Sequence, residues 1–216
     1  MKVVILVPFR GDGGWRDRAW EHVRRHLGQL PYELVVGDSG DEPFSFGRTF
    51  NKLADRPWDV AVLHDADLIA SLGNIVEAVD TAGPGIAYPW DHLVSLTREA
   101  SERYPDGPID IDPERERRRL PAGGVRVVTR DLWEAVKGFD SWFCGWGGED
   151  DAFAIAAKVM AGPPRRLPGP LIELWHPRPT SDPYYRNLEE NRRRVNEMRQ
   201  WTPGQVRAYV AARSGV

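Results

Sequence analysis

Three consecutive carboxylates, Glu149, Asp150 and Asp151, follow the turn Gly145-Trp146-Gly147-Gly148. Adjacent like charges destabilise a fold unless a cation, a basic side chain or a helix N-terminus compensates them. Glycines let the backbone approach a ligand closely, and the indole of Trp146 offers a flat face suited to a sugar ring. An acid-rich helix start would explain Glu149 and Asp150, but not three acids behind an aromatic turn. We therefore interpret this segment as a binding and catalytic site.

A second acidic pair, Asp65-Ala66-Asp67, follows the apolar residues 59–64. Carboxylates two positions apart can share one hard cation, or divide between a cation and a ligand hydroxyl. Such a D-x-D pair also occurs by chance in solvated turns. Its position after a buried strand, in a chain with further acids at other strand ends, favours a cation-binding function.

His176 lies just beyond the apolar residues 171–175. A lone histidine is more often a structural residue than a ligand. Next to Asp67, however, an imidazole and a carboxylate form a donor set that suits manganese, with magnesium as the alternative. The arginine runs at 117–119 and 192–194 are interpreted as solvated faces.

Composition narrows the class of protein. The 216 residues carry a formal net charge of −3, which does not favour a nucleic-acid partner. The single cysteine, Cys144, excludes an intrachain disulfide and a cysteine-rich zinc site. No apolar segment approaches the roughly 18 residues of a membrane span, and the N-terminus does not resemble a signal peptide. We expect one cytoplasmic domain with no nucleic-acid partner and no membrane span.

Hydrophobic periodicity predicts alternating strands and helices. Strands are expected over 2–8, 32–37, 59–64, 84–88, 121–128 and 171–175, and helices over 15–27, 46–54, 131–137, 149–160 and 184–198, with a short one opening at Thr202-Pro203. The opening β-α-β-α-β order is typical of a doubly wound α/β sheet, whose ligands bind beyond the carboxyl ends of its strands. Asp38, Asp65 and Asp67 all lie there. Residues 91–119 carry no pattern that predicts an element.

These motifs together resemble those of the GT-A glycosyltransferases, in particular the beta-1,4-galactosyltransferases and related bacterial family-two enzymes. The resemblance covers residues 3–178, and its motifs are Val7-Pro8-Phe9-Arg10, Asp65-Ala66-Asp67, Gly138-Phe139-Asp140 and Trp146-Gly147-Gly148-Glu149-Asp150-Asp151, with His176. It implies a single Rossmann-like GT-A domain with a mostly parallel central sheet flanked by helices. Residues 1–90 would form the nucleotide-sugar-binding half, 120–178 the acceptor and catalytic half, and 179–216 a C-terminal helical extension.

The resemblance also implies residue roles on the donor side. Asp38 would face the uracil ring, and Asp65 would contact the ribose side of the nucleotide. Arg48 belongs to a Phe46-Gly47-Arg48 segment similar to the family's F-N-R and would approach the nucleotide or its phosphates. The full set implied for the nucleotide is Pro8, Phe9, Arg10, Asp38, Arg48 and Asp65.

The resemblance further implies that Asp67 and His176 bind the metal and that Asp150 is the general base. Trp146 would lie between donor and acceptor, and Glu149 and Asp151 would hold the acceptor. A divalent cation would stabilise the departing diphosphate, and Asp150 would take the proton of the acceptor hydroxyl.

The resulting hypothesis is a metal-dependent, inverting transfer of a hexose or N-acetylhexosamine from a UDP-sugar to an acceptor hydroxyl. The donor stays open among glucose, galactose and their N-acetyl forms. The acceptor stays open among a glycan, a lipid-linked sugar, a small molecule and a protein hydroxyl. Retention of configuration is the stereochemical alternative. A nucleotidyltransferase, and a non-catalytic nucleotide-sugar-binding protein on the same fold, are the alternative functions.

Overall fold

The structure is a computed structural model that describes residues 1–104, 120–177 and 185–213, and the backbone of residues 116–117. The strands are β1 (Val3–Pro8), β2 (Glu33–Gly37), β3 (Val60–Leu63), β4 (Leu68–Ala70), β5 (Ala87–Tyr88), β6 (His92–Ser95), β7 (Glu116–Arg117), β8 (Arg126–Thr129), β9 (Arg165–Arg166) and β10 (Pro170–Glu173). The helices are α1 (Trp15–Leu27), α2 (Phe46–Ala54), α3 (Leu72–Asp80), α4 (Arg98–Arg103), α5 (Arg130–Val136), α6 (Glu149–Ala161), α7 (Leu188–Met198) and α8 (Pro203–Ala212).

The central sheet has the strand order β2-β1-β3-β8-β5-β9. Strand β1 pairs in parallel with both neighbours, so that Leu6 lies opposite Val35 on β2 and Leu63 on β3. Strand β8 runs antiparallel to β3 and β5, whereas β5 and β9 are parallel. The predicted α/β fold with a helix-flanked sheet is confirmed, and its parallel part brings the carboxyl ends of β1, β2 and β3 to one edge.

Burial explains why the first strands form. Residues 4–8 of β1 and all four residues of β3 are buried, as expected for strands covered by helices on both faces. Helix α1 turns Ala19, Val23 and Leu27 towards this sheet, at the spacing of one helical face. The sequence pattern therefore reports directly on this half of the fold.

A second, four-stranded sheet has the order β4-β10-β6-β7 and was not predicted from the sequence. Strand β10 runs antiparallel to β4, with Glu173 opposite Leu68, and parallel to β6. Directly beyond this pairing, the amide of Leu174 donates to the carbonyl of Asp67 at 2.9 Å. The second sheet thus brings the chain after β10 alongside the D-x-D segment.

Each predicted element overlaps an observed one, and the predicted cap of α8 is confirmed as a capping box between Thr202 and Gln205. Helix α7 begins at Leu188 rather than at the predicted residue 184, which lies outside the described residues. Helix α3 was missed, although Ser71 caps it. Within residues 91–119, where no element was predicted, the described part contains β6, α4 and β7.

One of the arginine runs differs from expectation. Arg192 and Arg193 are exposed as predicted, but Arg194 is only 25% exposed. Its guanidinium lies 4.9–5.5 Å from the ring centroids of Trp142, Trp201 and Tyr209. The prediction of a solvated face was wrong for this residue, because its side chain packs between aromatic rings of the C-terminal part. The side chains of Arg117–Arg119 lie outside the described residues.

In the described part of the chain, no helix combines the length and the apolar character needed to cross a bilayer.

Candidate active site

Asp150, the expected base, is held by an arginine that the sequence analysis did not single out. Arg126 on β8 is completely buried, and its Nη2 donates a hydrogen bond to Oδ1 of Asp150 in the first turn of α6. Its Nη1 donates to the carbonyl of Ala122 at 2.9 Å. The Asp150 side chain remains 26% exposed. The carboxylate is therefore reachable from solvent on one side and ion-paired on the other.

Aromatic rings surround the guanidinium of Arg126. Its central carbon lies 5.9, 5.0 and 5.6 Å from the ring centroids of Phe50, Phe139 and Phe153. Cation–π attraction offsets part of the cost of burying the charge. The pair with Asp150 offsets more of it, because a buried cation without a partner is strongly destabilising.

A glycine makes room for Asp150. A Cβ atom on Gly123 would lie 2.2 Å from Oδ2 of Asp150, closer than any real contact. The neighbouring carbonyl of Ala122 accepts from the hydroxyl of Tyr88 at 2.8 Å as well as from Arg126. The backbone at Gly123 is thus fixed directly against the base.

The structure compensates each of the three consecutive acids in a different way. Asp150 pairs with Arg126, and Asp151 pairs with Arg199 at 3.0 Å. Glu149 is 6% exposed, and burial together with the charge of Asp150 raises its pKa to about 8. At neutral pH Glu149 is therefore mostly protonated, with Oε2 buried and lacking a hydrogen-bond partner among the described residues.

Asp65 belongs to the same acidic group. Burial, followed by the charges of Asp150 and Asp67, raises its pKa well above the ordinary range. Its Oδ1 is buried and accepts no hydrogen bond within the described ranges. A buried carboxylate oxygen left unsatisfied marks a position where a ligand hydroxyl could donate.

Asp67 and His176, which were predicted to bind a metal, lie side by side. Nε2 of His176 lies 3.1 Å from Oδ2 of Asp67, and the two side chains are 19% and 30% exposed. The hydrogen bond to Asp67 raises the pKa of His176. An imidazole nitrogen and a carboxylate oxygen at one accessible point fit a borderline divalent cation such as Mn²⁺. Among the described residues, no group of three or more His, Cys, Asp or Glu side chains is placed to hold a metal ion.

The expected nucleotide residues lie at the ends of β1 and β2. Arg10 donates to both carboxylate oxygens of Asp38, from Nε at 2.5 Å and from Nη2 at 3.0 Å, and this pairing lowers the pKa of Asp38. Phe9, which follows Pro8, packs its ring 5.4 Å from that of Trp20 on α1. The bidentate pair fixes the rim of this edge.

Arg48 crosses from α2 to the loop that follows Gly138-Phe139-Asp140. It donates to Oδ1 of Asp41 at 3.0 Å and, from Nη2, to the carbonyl of Ser141 at 3.0 Å. The guanidinium is thus engaged with protein acceptors and ties the nucleotide-side loops to the segment before Trp146.

Trp146 is 39% exposed, and its ring meets that of Tyr185 edge to face at 5.3 Å. The buried Asn191 on α7 donates to the carbonyls of Cys144 and Trp146 at 3.1 and 3.2 Å. Gly147 and Gly148 have φ values of 96° and 98°, a conformation that favours glycine. Helix α7 therefore holds the turn that presents Trp146.

Electrostatic coupling joins Asp65 to Asp67, Glu149 and Asp150, so the structure gathers the two acidic motifs as predicted. Arg126 and Gly123 were missed. A signal existed for Arg126, because a single arginine interrupts the apolar run Val125-Arg126-Val127-Val128. A charged residue inside a buried strand requires a buried partner, although the sequence does not show which acid supplies it.

Comparisons with known proteins find similar sequences. A protein-family model described as "N-terminal domain of galactosyltransferase" matches residues 115–162, which include Gly123, Arg126 and the three acids. Human beta-1,4-galactosyltransferase 3 is 27% identical over 206 residues, covering 91% of this chain and 44% of that protein. Mouse beta-1,4-galactosyltransferase 4 is 25% identical over 189 residues, covering 82% and 49%. The chain thus spans less than half the length of these curated relatives.

Solved structures are similar in fold. A Drosophila beta-1,4-galactosyltransferase 7 mutant, in complex with manganese, UDP-Gal and xylobiose, superimposes with a TM-score of 0.54 at 20% identity, covering 76% of this chain and 64% of that one. Glucosyl-3-phosphoglycerate synthase from Mycobacterium tuberculosis, in complex with Mn²⁺ and UDP-glucose, gives 0.54 at 14% identity, covering 91% and 77%. The chain therefore shares the fold of these two glycosyltransferases, and its sequence is similar to those of galactosyltransferases.

Proposed function

We propose that this chain transfers a hexose or N-acetylhexosamine from a UDP-sugar to an acceptor hydroxyl, with inversion at the anomeric carbon and with a divalent cation. One observation carries the proposal: Asp150 is ion-paired with Arg126 and still partly exposed to solvent, directly after the Trp146 turn. Its charge also acts on Asp65 of the D-x-D segment. A nucleotide-binding fold alone would not require such a base.

The donor is proposed from the comparisons and from the site. The curated relatives are named galactosyltransferases, and the solved neighbours were crystallised with UDP-Gal or UDP-glucose. The bidentate Arg10–Asp38 pair gives the edge a rigid polar rim suited to a nucleobase. We assign nucleotide contacts to Pro8, Phe9, Arg10, Asp38, Arg48 and Asp65.

Asp67 and His176 would hold the divalent cation, which supplies charge stabilisation to the diphosphate as it leaves. His176 must be neutral to bind a metal. Its hydrogen bond to Asp67 raises its pKa and so favours the protonated imidazole, which means that a proton and the metal compete for His176.

Asp150 performs the proton transfer in this proposal. Arg126 holds one oxygen of the Asp150 carboxylate, and the exposed side of Asp150 can meet an acceptor hydroxyl. The acceptor oxygen forms a bond to the anomeric carbon, the bond from that carbon to the diphosphate oxygen breaks, and the hydroxyl proton moves to Asp150. Attack opposite the leaving group inverts the configuration. General-base catalysis of this kind contributes about 10²–10⁴ in rate.

The acceptor is assigned to Trp146, Glu149 and Asp151. Protonated Glu149 can donate a hydrogen bond to an acceptor oxygen, and the exposed face of Trp146 can stack on a sugar ring. Asp151, which is ion-paired with Arg199, lies at the outer side of the same helix turn and accepts hydrogen bonds from acceptor hydroxyl groups.

The test is release of nucleoside diphosphate from UDP-, GDP- and TDP-sugars, with manganese and with chelator. Asp150→Asn and Asp67→Asn are compared with Asp131→Asn, an exposed acid in the first turn of α5. We expect manganese-dependent consumption of a UDP-sugar that only the first two variants abolish. Pyrophosphate as the product would indicate a nucleotidyltransferase instead. Binding of a UDP-sugar that folded protein never consumes, in water or with any acceptor, would indicate a non-catalytic protein.

A further inference from the structure

We propose that Arg126 is a positioning residue for Asp150, which fixes the direction of its carboxylate and balances the negative charge gathered around it. The inference rests on the proposed function, in which Asp150 accepts the proton of the acceptor hydroxyl. It concerns a residue whose side chain is fully buried and therefore does not itself touch a substrate.

The position of the guanidinium is over-determined. Nη1 is anchored on the carbonyl of Ala122, which the hydroxyl of Tyr88 also holds. Three phenylalanine rings of α2, α6 and the loop after α5 leave the group no room to swing. Arg126 therefore offers Nη2 to Oδ1 of Asp150 from a fixed point.

Asp150 is then constrained on both oxygens. Oδ1 accepts from Arg126, and Oδ2 lies against the backbone at Gly123. With its Cα fixed in the first turn of α6, the side chain has little rotational freedom left. A base whose geometry is set before the substrate arrives needs no reorganisation during proton transfer.

The surrounding charges give Arg126 its second role. The titratable or charged groups that interact with Asp150 or its partners come from five elements or their ends: Asp65 and Asp67 after β3, Tyr88 on β5, Arg126 on β8, Glu149 and Asp151 on α6, and Arg166 on β9. Asp151 is already paired with Arg199. Of the described cations, Arg126 is the one that hydrogen-bonds to Asp150, so its loss would leave the base without a hydrogen-bonded cation.

Packing by itself does not call for an arginine. An apolar side chain of similar volume between Phe50, Phe139 and Phe153 would fill the same space without a desolvation cost. Two chemically different replacements therefore separate the roles. Arg126→Met removes the charge and the fork, whereas Arg126→Lys keeps the charge and loses the two-pronged geometry.

The matched control is Arg130→Met. Arg130 also stacks on an aromatic ring, 3.9 Å from the Trp58 centroid, and also donates to backbone carbonyls, those of Arg56 and Trp58. Its nearest carboxylate is Glu134 on its own helix, outside the acidic group. Its replacement should lower the melting temperature without changing catalysis.

Turnover of the UDP-sugar, affinity for manganese–UDP, and the pH dependence of kcat are measured for all variants. We expect Arg126→Met to lower kcat about 10²-fold, the size of effect that a misplaced catalytic group produces. The acid limb of the kcat pH profile of Arg126→Met should move to higher pH. The affinity of this variant for manganese–UDP should stay within about 2-fold of wild type, because the substitution displaces the base and not the donor site. Arg126→Lys should restore the acid limb but only part of kcat. Wild-type kcat and pH profile in folded Arg126→Met would overturn the proposal.

A readout independent of turnover separates this inference from the proposed function. The side-chain carboxyl carbon of Asp150, assigned with Asp150→Asn, is followed by NMR over pH in wild type and in Arg126→Met. An upward shift of its titration midpoint supports the role of Arg126 even where no UDP-sugar is consumed. An unchanged midpoint overturns it even where turnover is confirmed. Should Arg126→Met not fold, Arg126→Gln takes its place in both measurements.

Discussion

Nε2 of His176 lies 3.1 Å from Oδ2 of Asp67, although the two residues are far apart in the sequence. The antiparallel pairing of β4 with β10 brings the chain segments together, since the amide of Leu174 bonds to the carbonyl of Asp67 just beyond it. The pair therefore depends on the second sheet, because both residues lie next to its β4–β10 pairing.

This relationship predicts a pH-dependent metal affinity. The hydrogen bond from His176 to Asp67 raises the pKa of the imidazole above its ordinary 6.5, so the protonated form persists to higher pH. Since only the neutral imidazole binds a metal, Mn²⁺ affinity should fall as pH drops through this raised pKa, by up to about tenfold per pH unit. Calorimetric titration of manganese between pH 5.5 and 8.5 measures it.

His176→Asn should weaken manganese binding at every pH and remove most of its pH dependence. His92→Asn is the control, because His92 also lies against a carboxylate, 2.7 Å from Asp91, but on β6. An equal loss in both variants would argue against a metal site at His176.

The close approach of Gly123 to Asp150 predicts the effect of a single methyl group. Gly123→Ala would place Cβ 2.2 Å from Oδ2 of Asp150, so the carboxylate must move away from its position beside Arg126. We expect kcat to fall about 10²-fold, as for a misplaced catalytic group, with unchanged donor affinity. Gly83→Ala, where a Cβ meets nothing within 4 Å, should leave kcat unchanged. Steady-state kinetics of UDP release compares the two variants.

The sequence predicted those parts of the molecule that short-range pattern controls. The apolar run of β1, the helical spacing of α1 and the Thr202-Pro203 start of α8 are local features, and the structure confirms them. The second sheet was missed because β4 and β7 have three and two residues, too few to show a period. The Arg126–Asp150 pair joins residues of different elements, and only the tertiary fold shows which acid meets the arginine.

Burial of Glu149 predicts a pH dependence of stability. Its pKa is about 8 in the folded protein and close to 4.5 in the unfolded chain, because burial and the charge of Asp150 favour the protonated form. The folded state thus holds an extra proton between these values. The stability contribution is fully present below pH 4.5 and is lost as pH rises through about 8, with a slope of at most about 1.4 kcal/mol per pH unit.

The glutamine in Glu149→Gln cannot ionise. The free energy of unfolding of this variant, relative to that of wild type, should therefore increase as pH rises from 5 to 9. Urea denaturation across this range gives both curves. Glu134→Gln, at a glutamate whose side chain is 69% exposed on α5, should run parallel to wild type. Parallel curves for Glu149→Gln as well would mean that Glu149 ionises freely in the fold.

The turn that presents Trp146 depends on one buried amide. Asn191 is 2% exposed, and its Nδ2 donates to the carbonyls of Cys144 and Trp146.

Asn191→Ala leaves both acceptors unsatisfied, which costs about 1–3 kcal/mol for each buried group. The turn should loosen while the nucleotide-side residues, which Arg10 and Asp38 hold independently, keep their geometry. We therefore expect a lower melting temperature and an acceptor KM raised about tenfold, equivalent to about 1.4 kcal/mol, with an unchanged donor KM. Glu190→Ala on the same helix, at an exposed residue that pairs with Arg193 at 4.0 Å, is the control and should leave the acceptor KM unchanged. A donor KM that rises together with the acceptor KM in Asn191→Ala would show that the turn serves both substrates, and the assignment of Trp146 to the acceptor would then be wrong.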